Sequence, residues 1–194
     1  MERGQAVAAR RASSGDREVL IAYRLQAVRI GLSSTVAAIT TLLLFLLVPG
    51  HGEIALRPYL LLLGCGSAGG LLVAALPWPR LLAHPFGSWC LYTWSIADIL
   101  LVTWGVTITG WERSDAYLLY ALTTLFFAAS YPQRGQIFLL LFTYACYVGI
   151  FLLHGFTIGL GILLLRLSCI GVAAFMASFL ARKLTQEMAA HAAL

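Results

Sequence analysis

Charge is what this sequence has least of. Of its 194 residues only 13 are Lys or Arg and 8 are Asp or Glu, 11% in all. Soluble domains carry about 25% charged and about 45–50% apolar residues, whereas here 60% are hydrophobic and the mean hydropathy is +0.86. A soluble globule of this size would bury only about 70% of its surface, and the remainder would be apolar patches that water-soluble monomers do not expose. Water is therefore excluded as the main solvent. The shortage of acids also excludes a carboxylate cluster for divalent metal, and no G-x-S-x-G elbow, H-E-x-x-H helix or P-loop is present. The chain is accordingly expected not to be an enzyme. Its four cysteines, Cys65, Cys90, Cys146 and Cys169, form no CxxC pair and all lie in apolar runs, as small buried hydrophobes do. A secretory signal is not expected either: the first apolar run starts near Ile30 and no A-x-A cleavage pattern precedes the next.

Six apolar runs are present, at 30–48, 59–76, 90–109, 116–131, 136–153 and 160–180, the fourth being the shortest. Each is close to the roughly 17–25 residues that cross about 30 Å of hydrocarbon as a helix. Between them stand Pro49-Gly50-His51-Gly52, Pro77-Trp78-Pro79, Gly110-Trp111-Glu112, Pro132-Gln133-Arg134-Gly135 and His154-Gly155, all turn chemistry. The predicted fold is all-α, a polytopic bundle of six transmembrane helices. Residues 1–18 read as a basic tail interrupted at Ser13-Ser14-Gly15, 19–29 as an interfacial amphipathic helix or more tail, 30–180 as the bundle, and 181–194 as an extension of the sixth helix. With the N-terminus inside, ten Lys and Arg residues fall on the cytoplasmic side and only Arg57 and Arg113 outside. The positive-inside bias thus predicts both ends in the cytoplasm. The basic residues are spread over short segments, not gathered in a stripe, so nucleic acid is not an expected partner. Trp78, Trp89 and Tyr131 near inner boundaries, and Tyr59 and Trp111 near outer ones, read as interfacial anchors.

Two ionisable groups fall inside the runs, Asp98 in the third and Arg166 in the sixth. Burying either costs several kcal/mol, which makes them functional candidates. Helix arithmetic puts Asp98 about 12 Å and Arg166 about 21 Å above the inner boundary, and side chains lean toward their own helix N-termini, which separates the two further. Arg166 is expected to reach the outer side, toward Asp115, Glu112, Tyr117 or an anionic ligand, with snorkelling to headgroups as the alternative. Asp98 is expected to bond Ser, Thr or Tyr groups of neighbouring helices. Tyr117, Tyr120, Phe126 and Phe127 form an aromatic cluster that packing explains more simply than a flat ligand such as a quinone. Gly66 and Gly70, in a small-xxx-small arrangement, suggest close approach of another helix, with a ligand cavity as the alternative. His51 and His154 share the outer side but lack a third ligand, so neither metal nor haem is expected; His84 and His191 lie on the inner side.

The order Asp98-Ile99-Leu100-Leu101, Thr109-Gly110-Trp111, Tyr117-Leu118-Leu119-Tyr120-Ala121-Leu122 and Pro132-Gln133-Arg134-Gly135, preceded by Tyr23-Arg24-Leu25-Gln26, resembles a known group. It is similar to the six-helix N-terminal membrane input domains of bacterial sensor histidine kinases (RegB/PrrB-like) and GGDEF diguanylate cyclases. The resemblance covers roughly residues 20–185 and implies a bacterial inner-membrane location. Quinone-responsive members carry Gly-Gly-x-x-Asn-Pro-Phe where this chain reads Gly110-Trp111-Glu112-Arg113-Ser114-Asp115-Ala116, so quinone sensing is not carried over. After Leu180 the residues favour helix and include no Gly or Pro, with Leu180, Leu184 and Met188 approximating a short heptad stripe. The expected function is a sensory or anchoring input module in the lipid bilayer, a homodimer whose sixth helix relays to a cytoplasmic output domain in cis. The alternative is the substrate-binding membrane subunit of a small-solute, vitamin-type importer. An intramembrane enzyme has only Asp98 and Arg166 in its favour.

Overall fold

The computed structural model describes residues 2–47, 55–84, 86–110, 114–155 and 159–192, with side-chain surroundings from Ile21 to Lys183 and at Glu187, less Tyr23, Phe45 and Ala129. These residues form seven helices and no strand: α1 (Glu2–Leu47), α2 (Leu56–Ala75), α3 (Trp78–Ala83), α4 (Phe86–Ile108), α5 (Leu118–Ser130), α6 (Gln133–His154) and α7 (Leu160–Ala192). A 3-10 turn, Asp115–Tyr117, leads into α5. Five helices are long and apolar enough to cross a membrane, over Arg24–Leu44, Leu56–Ala75, Phe86–Ile108, Gln133–His154 and Leu160–Lys183. Their outer faces are apolar: Leu153 is 84% exposed and Leu47 78%, a surface suited to hydrocarbon and not to water.

The break expected at Ser13-Ser14-Gly15 does not interrupt α1, which runs as one helix from the basic segment into the apolar one. No proline occurs before Pro49, and a single interior glycine costs only about 1 kcal/mol against the cooperativity of a long helix.

The fourth apolar run folds differently from the rest. With its 3-10 turn, α5 extends only about 25 Å, less than the hydrocarbon thickness. It makes up for its length by burial. It packs against α1, α4, α6 and α7, and Tyr120, Thr123, Thr124, Phe126, Phe127, Ala128 and Ser130 are all buried. Both its ends are closed by side chains. Ser114 Oγ accepts from the Ala116 N–H at 3.2 Å at the start, and Gln136 Nε2 donates to the carbonyls of Ala128 and Tyr131 at 3.0 and 2.6 Å at the finish. Helix termini that lack water need such partners.

Several boundary aromatics are not interfacial anchors. Tyr59 is fully buried and donates to the Leu42 carbonyl at 2.8 Å, tying α2 to α1. The Trp78 indole N–H donates to the Val73 carbonyl at 2.7 Å, closing the end of α2. Tyr131 OH donates to the Leu91 carbonyl and bonds Ser95 Oγ, at 2.7 and 2.6 Å, among the rings of Tyr92, Phe126 and Phe127. A buried hydroxyl or indole needs an internal partner, and these tie helices together instead of facing headgroups. Trp89 is 70% exposed, and Trp111 lies outside the described residues.

Candidate functional site

Arg166 sits two turns into α7. Its guanidinium carbon lies 4.5 Å from the centre of the Tyr117 ring, and Nη1 donates to Tyr147 OH at 3.1 Å. The expected partner Tyr117 is therefore present, through its ring face. Asp115 is exposed and makes no ion pair with Arg166, and Glu112 lies outside the described residues. Tyr147 was not foreseen. It stands on α6, fully buried, with its ring edge against Tyr120 at 5.6 Å and against Phe151 at 5.3 Å. Tyr120 OH in turn bonds Thr103 Oγ1 at 2.7 Å, and Thr103 donates to the Ile99 carbonyl. Arg166 of α7 thus heads a connected set of aromatic and hydroxyl groups that reaches across α6 and α5 into α4.

Two more contacts hold α7 to α6. Tyr144 OH donates to the Leu167 carbonyl at 2.8 Å, in a place where a Cβ on Gly171 would collide with that hydroxyl. Lower down, Ser178 Oγ donates to Gln136 Oε1 at 2.8 Å. Leu180 is exposed, and the side chains of Leu184 and Met188 lie outside the described set.

Asp98 is on the other flank of α5. No hydrogen bond or ion pair joins it to Arg166, and among the described residues its carboxylate has neither with any group. The hydroxyl partners expected for it are adjacent but directed elsewhere: Thr35 donates to the Gly31 carbonyl at 3.0 Å and Thr123 to the Tyr120 carbonyl at 2.9 Å. Instead, Asp98 lines a cavity of about 460 Å³ between α1, α2 and α4, and beside it a small pocket of about 30 Å³ with Ser34, Ser95 and Thr123 in its wall.

The glycine-rich face of α2 borders the larger cavity through Gly66, Gly69 and Gly70. A Cβ at Gly66 or Gly69 would meet nothing within 4 Å, and one at Gly70 only the Thr35 methyl at 3.4 Å. Within this chain no element approaches Gly66 closely. Such approach occurs at Gly31, where a Cβ would come within 2.6 Å of Trp94 and 2.7 Å of Phe126, and at Gly135, where it would strike Tyr92 OH.

Among the described residues no group of His, Cys, Asp and Glu is arranged to hold a metal. His154 Nδ1 lies 3.0 Å from the Ile150 carbonyl of its own helix, and His51 lies outside the described residues. No family model, curated protein or solved structure matches the chain.

Proposed function

We propose that the chain is a membrane sensory or anchoring input module of a bacterial signal-transduction protein. In this reading it crosses the inner membrane six times, with both ends cytoplasmic, and α7 carries the state of an outward-facing site to a cytoplasmic output domain in cis. The observation that carries the reading is that Arg166 and the inner extension belong to one unbroken helix. α7 has 33 residues, about 50 Å, and its apolar window Leu160–Lys183 accounts for about 36 Å of that. A displacement at Arg166 therefore reaches the far end without passing a joint.

The mounting of α7 suits such movement. Polar contacts hold it to α6 at Arg166, Leu167 and Ser178, while Val172, Phe175, Met176, Phe179 and Leu180 are exposed at helical spacing. Helix shifts of about 1–2 Å are an ordinary switching motion, and an apolar stripe of this kind is where a second copy would pack. The orientation rests on the ten-to-two distribution of basic residues. The sixth crossing is assigned to Asp115–Ser130, whose closed ends allow a short helix to lie within the bundle.

A cysteine replacing Leu180 in a background without the four native cysteines tests the reading. Cross-linking between copies in native membranes is expected, and Arg166→Leu is expected to change its extent at least about twofold while expression and insertion stay normal. Unchanged cross-linking would reduce Arg166 to a snorkelling residue. Absence of cross-linking along the stripe would shift support to the importer-subunit reading, which the α1–α2–α4 cavity favours.

A further inference from the structure

Among the described residues, Asp98 is the only charged group in the walls of both cavities it borders. Protein encloses most of its surface, and the part left accessible opens onto those cavities. A carboxylate held this way is costly unless a cation or several donors meet it. The neighbouring threonine hydroxyls give their hydrogens to backbone carbonyls. Among the described residues the carboxylate has no hydrogen bond or ion pair, although Ser34, Ser95 and Trp94 stand in the same walls.

The space in front of it has the size and character of a ligand site. Ligand pockets run from roughly 300 to 1,000 Å³ and are mostly apolar with a few fixed polar groups; this one is about 460 Å³, with Asp98 midway along α4. Trp94 borders both cavities, with Trp78 6.1 Å away from it ring to ring. Aromatic rings together with a carboxylate are the chemistry that recognises an ammonium group. Among its lining residues Leu72, Phe86 and Trp89 are 68–70% exposed, so the cavity is continuous there with an apolar surface.

We propose that the α1–α2–α4 cavity binds a hydrophobic amine entering sideways from the bilayer, with its apolar body along the Gly66–Gly70 face of α2 and its ammonium group on the Asp98 carboxylate. An anionic ligand is disfavoured by that carboxylate. A neutral lipid chain would fill the groove and leave Asp98 unpaired. The site depends on the membrane setting of the preceding section and not on its signalling role.

The test uses the full chain in nanodiscs of zwitterionic lipid, titrated with a dansyl-labelled long-chain alkylamine and with the alcohol of the same length. Wild type is expected to bind the amine about tenfold or more tightly than the alcohol, as for a desolvated charge pair. Asp98→Asn is expected to remove that preference. Gly66→Leu, at a position where a Cβ meets nothing within 4 Å, is expected to weaken both probes without lowering the thermal unfolding temperature. Arg166→Leu is expected to keep amine binding intact, so a failed relay would leave this result standing. Equal binding of amine and alcohol to wild type, which marks a lipid-chain groove only, would overturn the proposal. So would a preference that survives in Asp98→Asn, or no saturable binding of either probe.

Discussion

Gly66 and Gly87 answer the same question, what a methyl group would meet, in opposite ways. At Gly66 there is nothing within 4 Å, whereas at Gly87 the new carbon would strike the Leu81 carbonyl and the Leu82 backbone, where α3 turns into α4. A backbone obstacle cannot swing aside as a side-chain tip can. Gly66→Ala is therefore expected to stabilise the purified protein by about 0.5–1 kcal/mol, the helix-propensity gain, and Gly87→Ala to destabilise it by about 1–3 kcal/mol through overpacking. Thermal unfolding in detergent, followed by tryptophan fluorescence, checks both signs. These positions also show what a sequence can convey at the scale of a residue. Paired glycines at i and i+4 draw attention to Gly66 and Gly70, yet the tight crossings fall at Gly31, Gly135 and Gly171, each standing alone. A lone glycine names no partner, because the partner is a tyrosine or tryptophan on a different helix. Tyr117 could be anticipated beside Arg166 because the lean of helical side chains fixes a direction. Tyr147 could not, since the rotation of α6 relative to α7 sets that contact.

At the scale of an element, α5 is the exception that organises the bundle. The apolar parts of the long helices were legible from length and hydropathy alone, as was the turn at Pro132, whereas the basic first half of α1 was read as a tail. Hydropathy placed a helix at residues 116–131 but could not show that its role is central. That role rests on Gln136, whose amide donates to two carbonyls at the end of α5 and accepts from Ser178 on α7. In sequence Gln136 is only the first polar residue of an apolar run. Gln136→Leu leaves two α5 carbonyls without their side-chain donor and Ser178 without that acceptor. The expected cost is about 1–3 kcal/mol, seen as a lower unfolding temperature. Faster amide exchange over residues 128–131 and 174–178 would locate it, because local opening follows the lost contacts. Uniform exchange across the chain, with the same temperature loss, would instead mean that Gln136 acts on overall packing.

At the scale of the whole molecule, the two charged residues within the apolar helices divide the bundle between them. Arg166 belongs to the α5–α6–α7 side, held by Tyr117 and Tyr147, and Asp98 to the α1–α2–α4 side, facing a cavity. Rise per residue and side-chain lean argued against their pairing but left it open. The cavity was not legible, since empty space between three helices depends on how they diverge and leaves no periodic mark in a sequence. Everything proposed for the outward site and the inner end of α7 depends on the number of crossings. Six crossings put the two ends of α7 on opposite sides with its extension in the cytoplasm; five would put that extension outside. The decisive measurement is labelling of single cysteines by a membrane-impermeant maleimide in intact cells, using Asp115→Cys and Glu187→Cys in a background without native cysteines. Asp115→Cys is expected to label in intact cells and Glu187→Cys only after lysis. Labelling of Glu187→Cys in intact cells would contradict the six-crossing topology and, with it, the role assigned to α7.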